Sequence, residues 1–292
     1  MKVNKYPINL IGYFIGDILK MPQYKSYIDM YLGVYKVKVT SPKDIKHPLL
    51  PYKINESTVY GTGTWEGRYY SEELKNAAKF GSQYEILAGY LFEGQDIFSN
   101  YVKTLSKMKE DSTKGTPMYL ICKLLLNALY GRYGMDFENK SHQILDQKQL
   151  SELIDNVGEW NIDETIDIDD KTLVSTKEYK PYKSPQVNMA IALAVTANAR
   201  IYMSRVKNNP DIKLFYTDTD SAFTGKPLPD EWYHPNKTGY FKLENVVDNF
   251  VALGPKVYGA IKEDGSSFTK VKGFKGIIPL RTLTEALDSR NP

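Results

Sequence analysis

Two acidic residues at alternate positions, Asp218 and Asp220, have the types and spacing for metal chemistry. They lie in residues 216–221 (YTDTDS), which follow a short apolar segment and precede another, a pattern that predicts a hairpin. Carboxylates at positions i and i+2 of a strand point to one face, so we expect both to reach a common ion at the hairpin tip. Carboxylate oxygens suit hard divalent cations such as Mg²⁺. The same Asp-Thr-Asp pattern is also typical of ordinary turns, in which the side chain bonds to the nearby backbone.

A helix predicted over residues 116–131 carries a second group of functional side chains. Thr116, followed by proline, is a typical start signal for a helix. Lys123, Asn127 and Tyr130 then fall at i, i+4 and i+7, which places them on one face. An ammonium, an amide and a phenol on one face suit a triphosphate, a sugar or base edge, and a stacked ring. An ordinary surface helix with an exposed lysine and asparagine fits the same pattern.

A third group lies near the C-terminal end, where Lys256 and Tyr258 predict a cation and a ring on one face of a strand. An Asp-Gly pair at 264–265 predicts the turn of a hairpin. Three more lysines follow across this hairpin: Lys270, Lys272 and Lys275. A two-stranded ribbon with several lysines is typical of a grip on a phosphate backbone. Lysines that protect a sheet edge from further pairing give the same pattern.

The elements that must position these residues predict an α+β fold with an antiparallel sheet, because strands and helices occur in mixed order. Residues 138–183 are acidic and weakly patterned, and we expect a surface insertion in the form of a solvated loop. Strands are predicted at 34–40, 84–92, 213–216, 221–224, 257–261 and 268–274, with a hairpin at 58–64. Helices are predicted at 97–109, 116–131 and 184–206, with a short one that Ser71 caps.

Composition excludes several classes of protein. The 292 residues predict about two domains or one large one, and an apolar fraction of 42 % excludes a mainly disordered chain. The single cysteine excludes an internal disulfide and a cysteine-based zinc cluster, and three histidines leave little room for a histidine metal site. No apolar run approaches the roughly 18 residues of a membrane span, and we expect no membrane partner. The net charge of +3 is too small to identify a nucleic-acid binder by itself.

Three of these runs, in this order, resemble the motif series of family B DNA polymerases: residues 123–131 (KLLLNALYG), 216–221 (YTDTDS) and 256–258 (KVY). They are similar to the family motifs K-x-x-x-N-S-x-Y-G, Y-x-D-T-D-S and K-x-Y. The likeness is greatest to the protein-primed branch of certain bacteriophages and linear mitochondrial plasmids, and it covers most of residues 30–276. It implies a palm of antiparallel strands and helices, a two-helix fingers element and insertions around them.

The resemblance implies a DNA-directed DNA polymerase, in which a primer 3′ hydroxyl attacks the α-phosphate of an incoming deoxynucleoside triphosphate. Asp220 would be a direct ligand of two Mg²⁺ ions, and Asp218 would support it. The residues implied to bind the nucleotide are Lys123, Asn127, Tyr130 and, on the other arm of the fingers, Lys109. Those expected to hold primer–template DNA are Lys256, Tyr258, the 196–200 run (TANAR) with Thr196 and Arg200, and the hairpin lysine Lys272.

The sequence departs from the family pattern in several places. A further carboxylate motif of the family, D-x-x-S-L-Y-P, has no counterpart; Tyr6-Pro7 matches only its end, and we expect the chain to begin just after the motif. We expect no 3′–5′ exonuclease domain, and the 16 residues after Gly276 are too few for a full thumb. Ala128 stands where the family has serine, which could alter nucleotide selection. The sequence therefore predicts an incomplete polymerase core.

Five regions are expected along the chain: palm or insertion at 1–96, fingers at 97–137, the acidic insertion at 138–183, palm with the primer-grip hairpin at 184–276, and a thumb remnant at 277–292. The resemblance implies a mitochondrial, linear-plasmid setting or a phage-infected cell, and a terminal protein as a further partner. A non-catalytic remnant that binds primer–template DNA is the alternative function. An unrelated metal-binding structural domain would require the order of the motifs to be a coincidence.

Overall fold

The computed structural model describes residues 4–55, 57–134, 139–178, 187–235 and 237–289. The chain divides into two compact units, of which the first is Met1–Leu126 with Leu193–Pro292 and the second is Asn127–Ala192. Helices are interspersed with antiparallel sheets, and this confirms the predicted α+β fold class. Within the described ranges, no helix combines the length and the apolar character needed to cross a membrane.

The N-terminal part of the first unit is built on a four-stranded antiparallel sheet. Its elements in chain order are β1 (Tyr6–Ile15), α1 (Lys25–Met30), β2 (Leu32–Ser41), β3 (Pro51–Ile54), β4 (Ser57–Tyr60), β5 (Gly63–Tyr70), α2 (Ser71–Ala78) and β6 (Gln83–Gln95). The strand order is β1-β6-β2-β5. The predicted alternation of β2 is confirmed, because Tyr35, Val37 and Val39 are buried in the core while Lys38 between them is exposed. The strand predicted at 84–92 is confirmed as part of β6.

Two local predictions in this part are wrong. Residues 58–64 do not form a hairpin, because β4 pairs back onto β3 while β5 pairs with β2. Ser71 does not cap α2; Tyr70 holds the cap position, and Ser71 is the first helical residue. The Ser71 hydroxyl instead accepts a hydrogen bond from the Gly33 backbone N–H of β2 at 3.0 Å. In the first case the strand pairs with the one immediately before it, and in the second the hydroxyl bonds to a residue 38 positions away.

Two helices form the predicted helical hairpin: α3 (Ser99–Glu110) and α4 (Pro117–Gly131). The Thr116 hydroxyl accepts a hydrogen bond from the Tyr119 N–H at 3.5 Å, which confirms its capping position at the start of α4. The two arms are joined near their far ends by the Tyr101 hydroxyl, which donates to the Leu125 carbonyl at 3.4 Å.

The second unit contains an ordered sheet where a solvated loop was expected, so that prediction is wrong. Its elements are β7 (Asn139–Leu145), α5 (Gln147–Val157), β8 (Ile162–Ile168) and β9 (Lys171–Glu178), with strand order β7-β9-β8. Val174 of β9 is fully buried. One of the acidic residues that suggested a loop, Asp163, lies on this sheet, where it pairs with Lys140 at 2.6 Å and with Lys177 at 2.7 Å.

The C-terminal part begins with α6 (Met189–Lys207), followed by β10 (Leu214–Asp218), β11 (Ser221–Thr224), β12 (Val247–Gly254), β13 (Val257–Lys262), β14 (Ser267–Val271) and α7 (Leu280–Asp288). The predicted end of α6 is confirmed within one residue, while its predicted start at 184–186 lies outside the described residues. Strands β10 and β11 form the hairpin predicted at 213–224, and β13 pairs with β14 as predicted. The sequence did not predict β12, which completes the sheet β12-β13-β14.

Candidate functional site

The hairpin β10–β11 carries both predicted catalytic carboxylates at its tip. Asp218 ends β10 opposite Ser221, and a two-residue turn of Thr219 and Asp220 joins the strands. The expectation that both acids point to one face of a strand is therefore wrong, because Asp220 lies in the turn. Thr219 has a φ of 52°, a left-handed conformation that is unfavourable for a β-branched residue. Its hydroxyl lies 3.2 Å from Asp218 Oδ1 and holds that carboxylate near the turn.

A second turn meets this tip from the sheet β12-β13-β14. Lys256 lies in the turn between β12 and β13, with a φ of 62°, and is not on the strand face where it was expected. Its ammonium nitrogen lies 2.7 Å and 2.8 Å from the two Asp218 carboxylate oxygens. Its backbone N–H donates to the Tyr216 hydroxyl at 2.8 Å, and its carbonyl accepts from the Lys272 N–H at 3.0 Å. The structure thus joins two motifs that are 38 residues apart.

The Lys256–Asp218 ion pair is open to water. The Asp218 side chain is 26 % exposed and that of Lys256 is 51 % exposed. The hydrogen bond to Asp218 raises the pKa of the Lys256 ammonium group above its usual value. Because exposed ion pairs contribute little to stability, the pair fixes the position and charge of the two groups more than it holds the fold together.

Four aromatic rings lie directly beneath the two turns. Tyr258 of β13 is half-buried, with its ring centroid 4.9 Å from that of Tyr216. Burial is the main cause that raises the pKa of its phenol. Phe223 of β11 and Phe250 of β12 complete the group, with ring centroids 4.3 Å apart. Sequence reasoning missed both phenylalanines, although the apolar run around Phe250 was a strand signal.

The predicted nucleotide-binding residues lie on the helical hairpin. Lys123 and Asn127 are exposed and one turn apart on α4, as the spacing predicted. Tyr130 lies on the same helix, but its side chain is outside the described part of the structure. Lys109 is half-buried near the end of α3. Within the described residues, no hydrogen bond or ion pair joins Lys109 or Lys123 to Asp218, and their roles stay predictions.

The predicted DNA contacts of α6 differ from one another. Thr196 is exposed, and its hydroxyl donates to the Leu193 carbonyl at 3.0 Å. Arg200 is held by Glu73 of α2, since its Nη2 lies 2.9 Å from Glu73 Oε2 and its Nε bonds to Oε1. Burial lowers the pKa of Arg200, but the ion pair outweighs burial and raises it. No local pattern in the sequence signals this contact, because Glu73 lies 127 residues from Arg200.

The remaining predicted contacts lie on or just beyond β14. Lys270 on the strand and Lys272 and Lys275 after it are all exposed. Lys272 is tied to the Lys256 turn through its backbone N–H, so this lysine and the carboxylate tip belong to one surface. An exposed row of lysines beside an ion-paired carboxylate suits an anionic polymer such as a nucleic-acid backbone.

The donor atoms at the tip fit a hard cation. Within the described ranges, no group of three or more His, Cys, Asp or Glu side chains could hold a metal ion. Mg²⁺ commonly binds through one or two carboxylates together with substrate phosphates and water. Asp218 and Asp220 therefore fit one such ion in the presence of a nucleotide, and a pair of ions would need another donor.

Comparison with known proteins finds that this chain is similar to DNA polymerases. A family model described as DNA polymerase type B, organellar and viral, matches residues 1–217. A probable DNA polymerase of Neurospora intermedia is 31 % identical over 297 residues, which cover 98 % of this chain and 30 % of that protein. A DNA polymerase of Streptococcus phage Cp-1 is 28 % identical over 183 residues, which cover 61 % of this chain and 28 % of that protein.

A solved structure shows the same fold. Phi29 DNA polymerase complexed with primer–template DNA and incoming nucleotide substrates superposes with a TM-score of 0.67 at 17 % identity, covering 97 % of this chain and 49 % of that one. The chain spans about a third or less of the length of the curated relatives it matches. Because the family model covers well over half of the 292 residues, the chain belongs to the organellar and viral family of type B DNA polymerases.

Proposed function

We propose that this chain supplies the nucleotide-adding core of a DNA polymerase, which extends a primer 3′ end along a DNA template. The observation that carries the proposal is the contact between the Lys256 turn and the Asp218 turn. It places a carboxylate pair, a lysine and a ring on one exposed surface. A phosphoryl-transfer site needs this combination, because it must bind a cation, neutralise phosphates and position a primer end.

Each residue has a proposed task in this reaction. Asp218 and Asp220 would hold one Mg²⁺ ion, which would supply neutralisation of developing charge, and the second ion of a two-ion arrangement would need another donor. The residues proposed to bind the incoming deoxynucleoside triphosphate are Lys123, Asn127, Tyr130 and Lys109. Those proposed to position the primer–template are Lys256, Tyr258, Lys272, Thr196 and Arg200.

Lys256 has a particular place in the proposal. Its ammonium group neutralises Asp218 while its turn is fixed by bonds to Tyr216 and Lys272. A cation that binds the carboxylates competes with this lysine for the same oxygens. The released ammonium would stay within reach of the site and could contact a primer phosphate. Lys256 thereby keeps Asp218 ordered before substrates arrive.

The wider setting belongs to the proposal as well. The relatives come from fungi and a phage, and the motifs resemble those of the protein-primed branch. We propose a terminal protein as the primer donor, and a mitochondrial, linear-plasmid origin with a phage-infected cell as the alternative. The alternative function, a non-catalytic remnant that binds primer–template DNA, is favoured by one observation: among the described residues, no group of three or more His, Cys, Asp or Glu side chains could hold a metal ion.

Primer extension by the full chain tests the proposal. The assay uses a primed template, Mg²⁺ and four deoxynucleotides, and compares the unchanged chain with Asp218→Asn. Extension that is lost in the variant supports a catalytic core. Salt-sensitive DNA binding without extension supports the remnant, because phosphate contacts survive without the reaction. If the unchanged chain neither extends a primer nor binds DNA, both proposed functions are contradicted.

A further inference from the structure

The hairpin β10–β11 is held by aromatic side chains, because its backbone has little other support. It is a two-stranded ribbon that pairs with no further strand in the described part of the chain. An isolated two-stranded hairpin is marginally stable at best in water. Its position therefore depends on the side chains that pack against the neighbouring sheet.

Four rings from four different strands provide this packing. They are Tyr216 of β10, Phe223 of β11, Phe250 of β12 and Tyr258 of β13. All six pairs of ring centroids lie between 4.3 and 6.2 Å apart. The tightest pair is Phe223 on Phe250, stacked at 4.3 Å with an interplanar angle of 25°. Aromatic pairs at such separations stabilise beyond the area that they bury.

The sheet β12-β13-β14 presents one face to these rings and the other face to α7. Phe250, Ala260 and Phe268 lie directly opposite one another across the three strands, so they share a face. Gly259 belongs to the other face, where an added Cβ would come within 2.6 Å of Leu280 Cδ1 of α7. Because α7 packs on the face that carries Gly259, the opposite face with Phe250 remains available to the hairpin β10–β11.

The ring cluster and the two turns form a closed set of contacts. Phe223 pairs with Tyr216 across the hairpin, and the Tyr216 hydroxyl accepts the Lys256 N–H at 2.8 Å. The Lys256 ammonium group then reaches Asp218 two residues beyond Tyr216. A shift of Phe223 on Phe250 would therefore move the Asp218 turn relative to the Lys256 turn.

We propose that Phe223 and Phe250 are positioning residues, which hold the Asp218 carboxylate in register with Lys256. Both lie outside the three motif runs. Their effect on the reaction rate rests on the proposed polymerase function. Their effect on the contact between Lys256 and Asp218 does not depend on that function. Loss of the Phe250 ring removes three ring pairs at once, including the stacked one.

Competitive acetylation of lysines in the full chain tests the contact without any need for activity. A trace of acetic anhydride acetylates each lysine amine at a rate that rises when its ion pair opens. Mass spectrometry then measures the extent of acetylation at each lysine. Asp218→Asn defines the rate of released Lys256. We expect Phe250→Ala to raise the Lys256 rate about threefold, towards that limit, because an exposed ion pair protects its amine only to this extent. The matched control is Phe268→Ala, on the same face of the sheet, where the ring lies near the Lys262 ammonium group at 5.9 Å.

Lys36, which pairs with Glu66 at 3.0 Å in the four-stranded sheet, reports on folding. If Phe250→Ala also raises the acetylation rate of Lys36, the variant has disturbed the fold. The test then uses Phe250→Leu, whose side chain fills the space without stacking. We expect that variant to raise the Lys256 rate by a smaller factor, about 1.5-fold, with Lys36 unchanged. An unchanged Lys256 rate in a folded Phe250→Ala or Phe250→Leu chain overturns the proposal.

Primer extension then tests the value of the contact to the reaction. We expect Phe250→Ala to lower kcat with little change in the KM for nucleotide, and Phe250→Tyr to restore kcat. Normal kcat in a variant whose Lys256 is released overturns the positioning role. If even the unchanged chain does not extend a primer, the polymerase function fails, while the acetylation result still decides the contact.

Discussion

The hairpins β8–β9 and β10–β11 have nearly the same turn but different surroundings. In the first, Ile168 pairs with Lys171 and the turn residue Asp169 has a φ of 50°. In the second, Asp218 pairs with Ser221 and Thr219 has a φ of 52°. Each turn ends in an exposed aspartate, Asp170 in one and Asp220 in the other.

The difference lies in what reaches the turn from elsewhere in the chain. The Asp218 carboxylate receives the Lys256 side chain at 2.7 Å, and the Tyr216 hydroxyl, two residue pairs below, receives the Lys256 backbone N–H. The acidic turn at 169–170 is exposed and projects into solvent. An acidic two-residue turn therefore does not by itself mark a functional site. The contact with the Lys256 turn is what distinguishes the turn of β10–β11 as a candidate site.

The largest expected effect is a difference in reaction rate between variants of two aspartates at matched turn positions. Asp220→Ala should lower the rate of primer extension by about a thousandfold or more, since it removes a proposed ligand of the cation. Asp170→Ala occupies the same turn position in β8–β9 and should leave the rate unchanged. Steady-state primer extension by both purified variants checks this. Equal losses in the two variants would contradict the comparison.

The next effect concerns the two lysines that pair with hairpin carboxylates. Lys256→Gln should weaken primer–template binding and reduce the slope of log affinity against log salt by about one, the amount expected for one lost phosphate contact. Lys177→Gln removes a partner of Asp163 and should keep the salt slope of the unchanged chain. Fluorescence anisotropy with labelled DNA over a salt series measures both slopes. The same slope for Lys256→Gln and the unchanged chain would count against a DNA contact.

A smaller effect is expected on stability at the first turn residue. A left-handed conformation costs about 1–2 kcal/mol for most residues, and aspartate tolerates it better than threonine. Thr219→Gly should therefore raise the melting temperature by about 2–4 °C, while Asp169→Gly should change it little. Thermal unfolding followed by circular dichroism compares the two variants. A lower melting temperature for Thr219→Gly would mean that the hydroxyl bond to Asp218 outweighs the strain.

The smallest expected effects are changes in stability with pH. The contribution of Asp163 should be lost in acid, and that of Lys256 should be lost in alkali. Hydrogen bonds from Lys140 and Lys177 lower the pKa of Asp163, so its stabilisation is present above its unfolded pKa and is lost as pH falls through the lower folded value, below about pH 4. The bond to Asp218 raises the pKa of Lys256, so its stabilisation is lost only as pH rises through the higher folded value, above about pH 10.

Melting temperatures measured over pH test these signs. The difference between the unchanged chain and Asp163→Asn should shrink in acid, whereas the difference for Lys256→Gln should shrink in alkali. The Lys256 side chain is 51 % exposed, so its difference should be small. A Lys256→Gln difference that persists unchanged as pH rises above about 10 would contradict the predicted sign.

Local patterns predicted the elements that their own residues determine. The Thr116 cap, the alternation of β2 and the β10–β11 hairpin follow from neighbouring side chains and were confirmed. The contacts that build the site depend on residues far apart in sequence. Arg200 meets Glu73 across 127 residues, and Phe250 meets Phe223 through a strand that the sequence did not predict.

The site was predictable as a set of motifs but not as a geometry. The resemblance indicated that Asp218 and Lys256 act together, and the structure places their side chains 2.7 Å apart. The local rule for alternate strand positions failed at Asp220, because the strand ends at Asp218 and Asp220 lies in the turn. The acidic insertion was misread because Asp163 finds its lysine partners on neighbouring strands, which composition does not reveal.

Photocrosslinking of the primer end tests the central claim most directly. A primer with a photoreactive 3′-terminal nucleotide is annealed to template, bound to the full chain and irradiated, and the labelled residues are identified by mass spectrometry. The account predicts label in both residues 216–221 and residues 256–258, because the two turns form one surface. Label in only one of these segments, or equal label in the matched turn at 168–171, would contradict it.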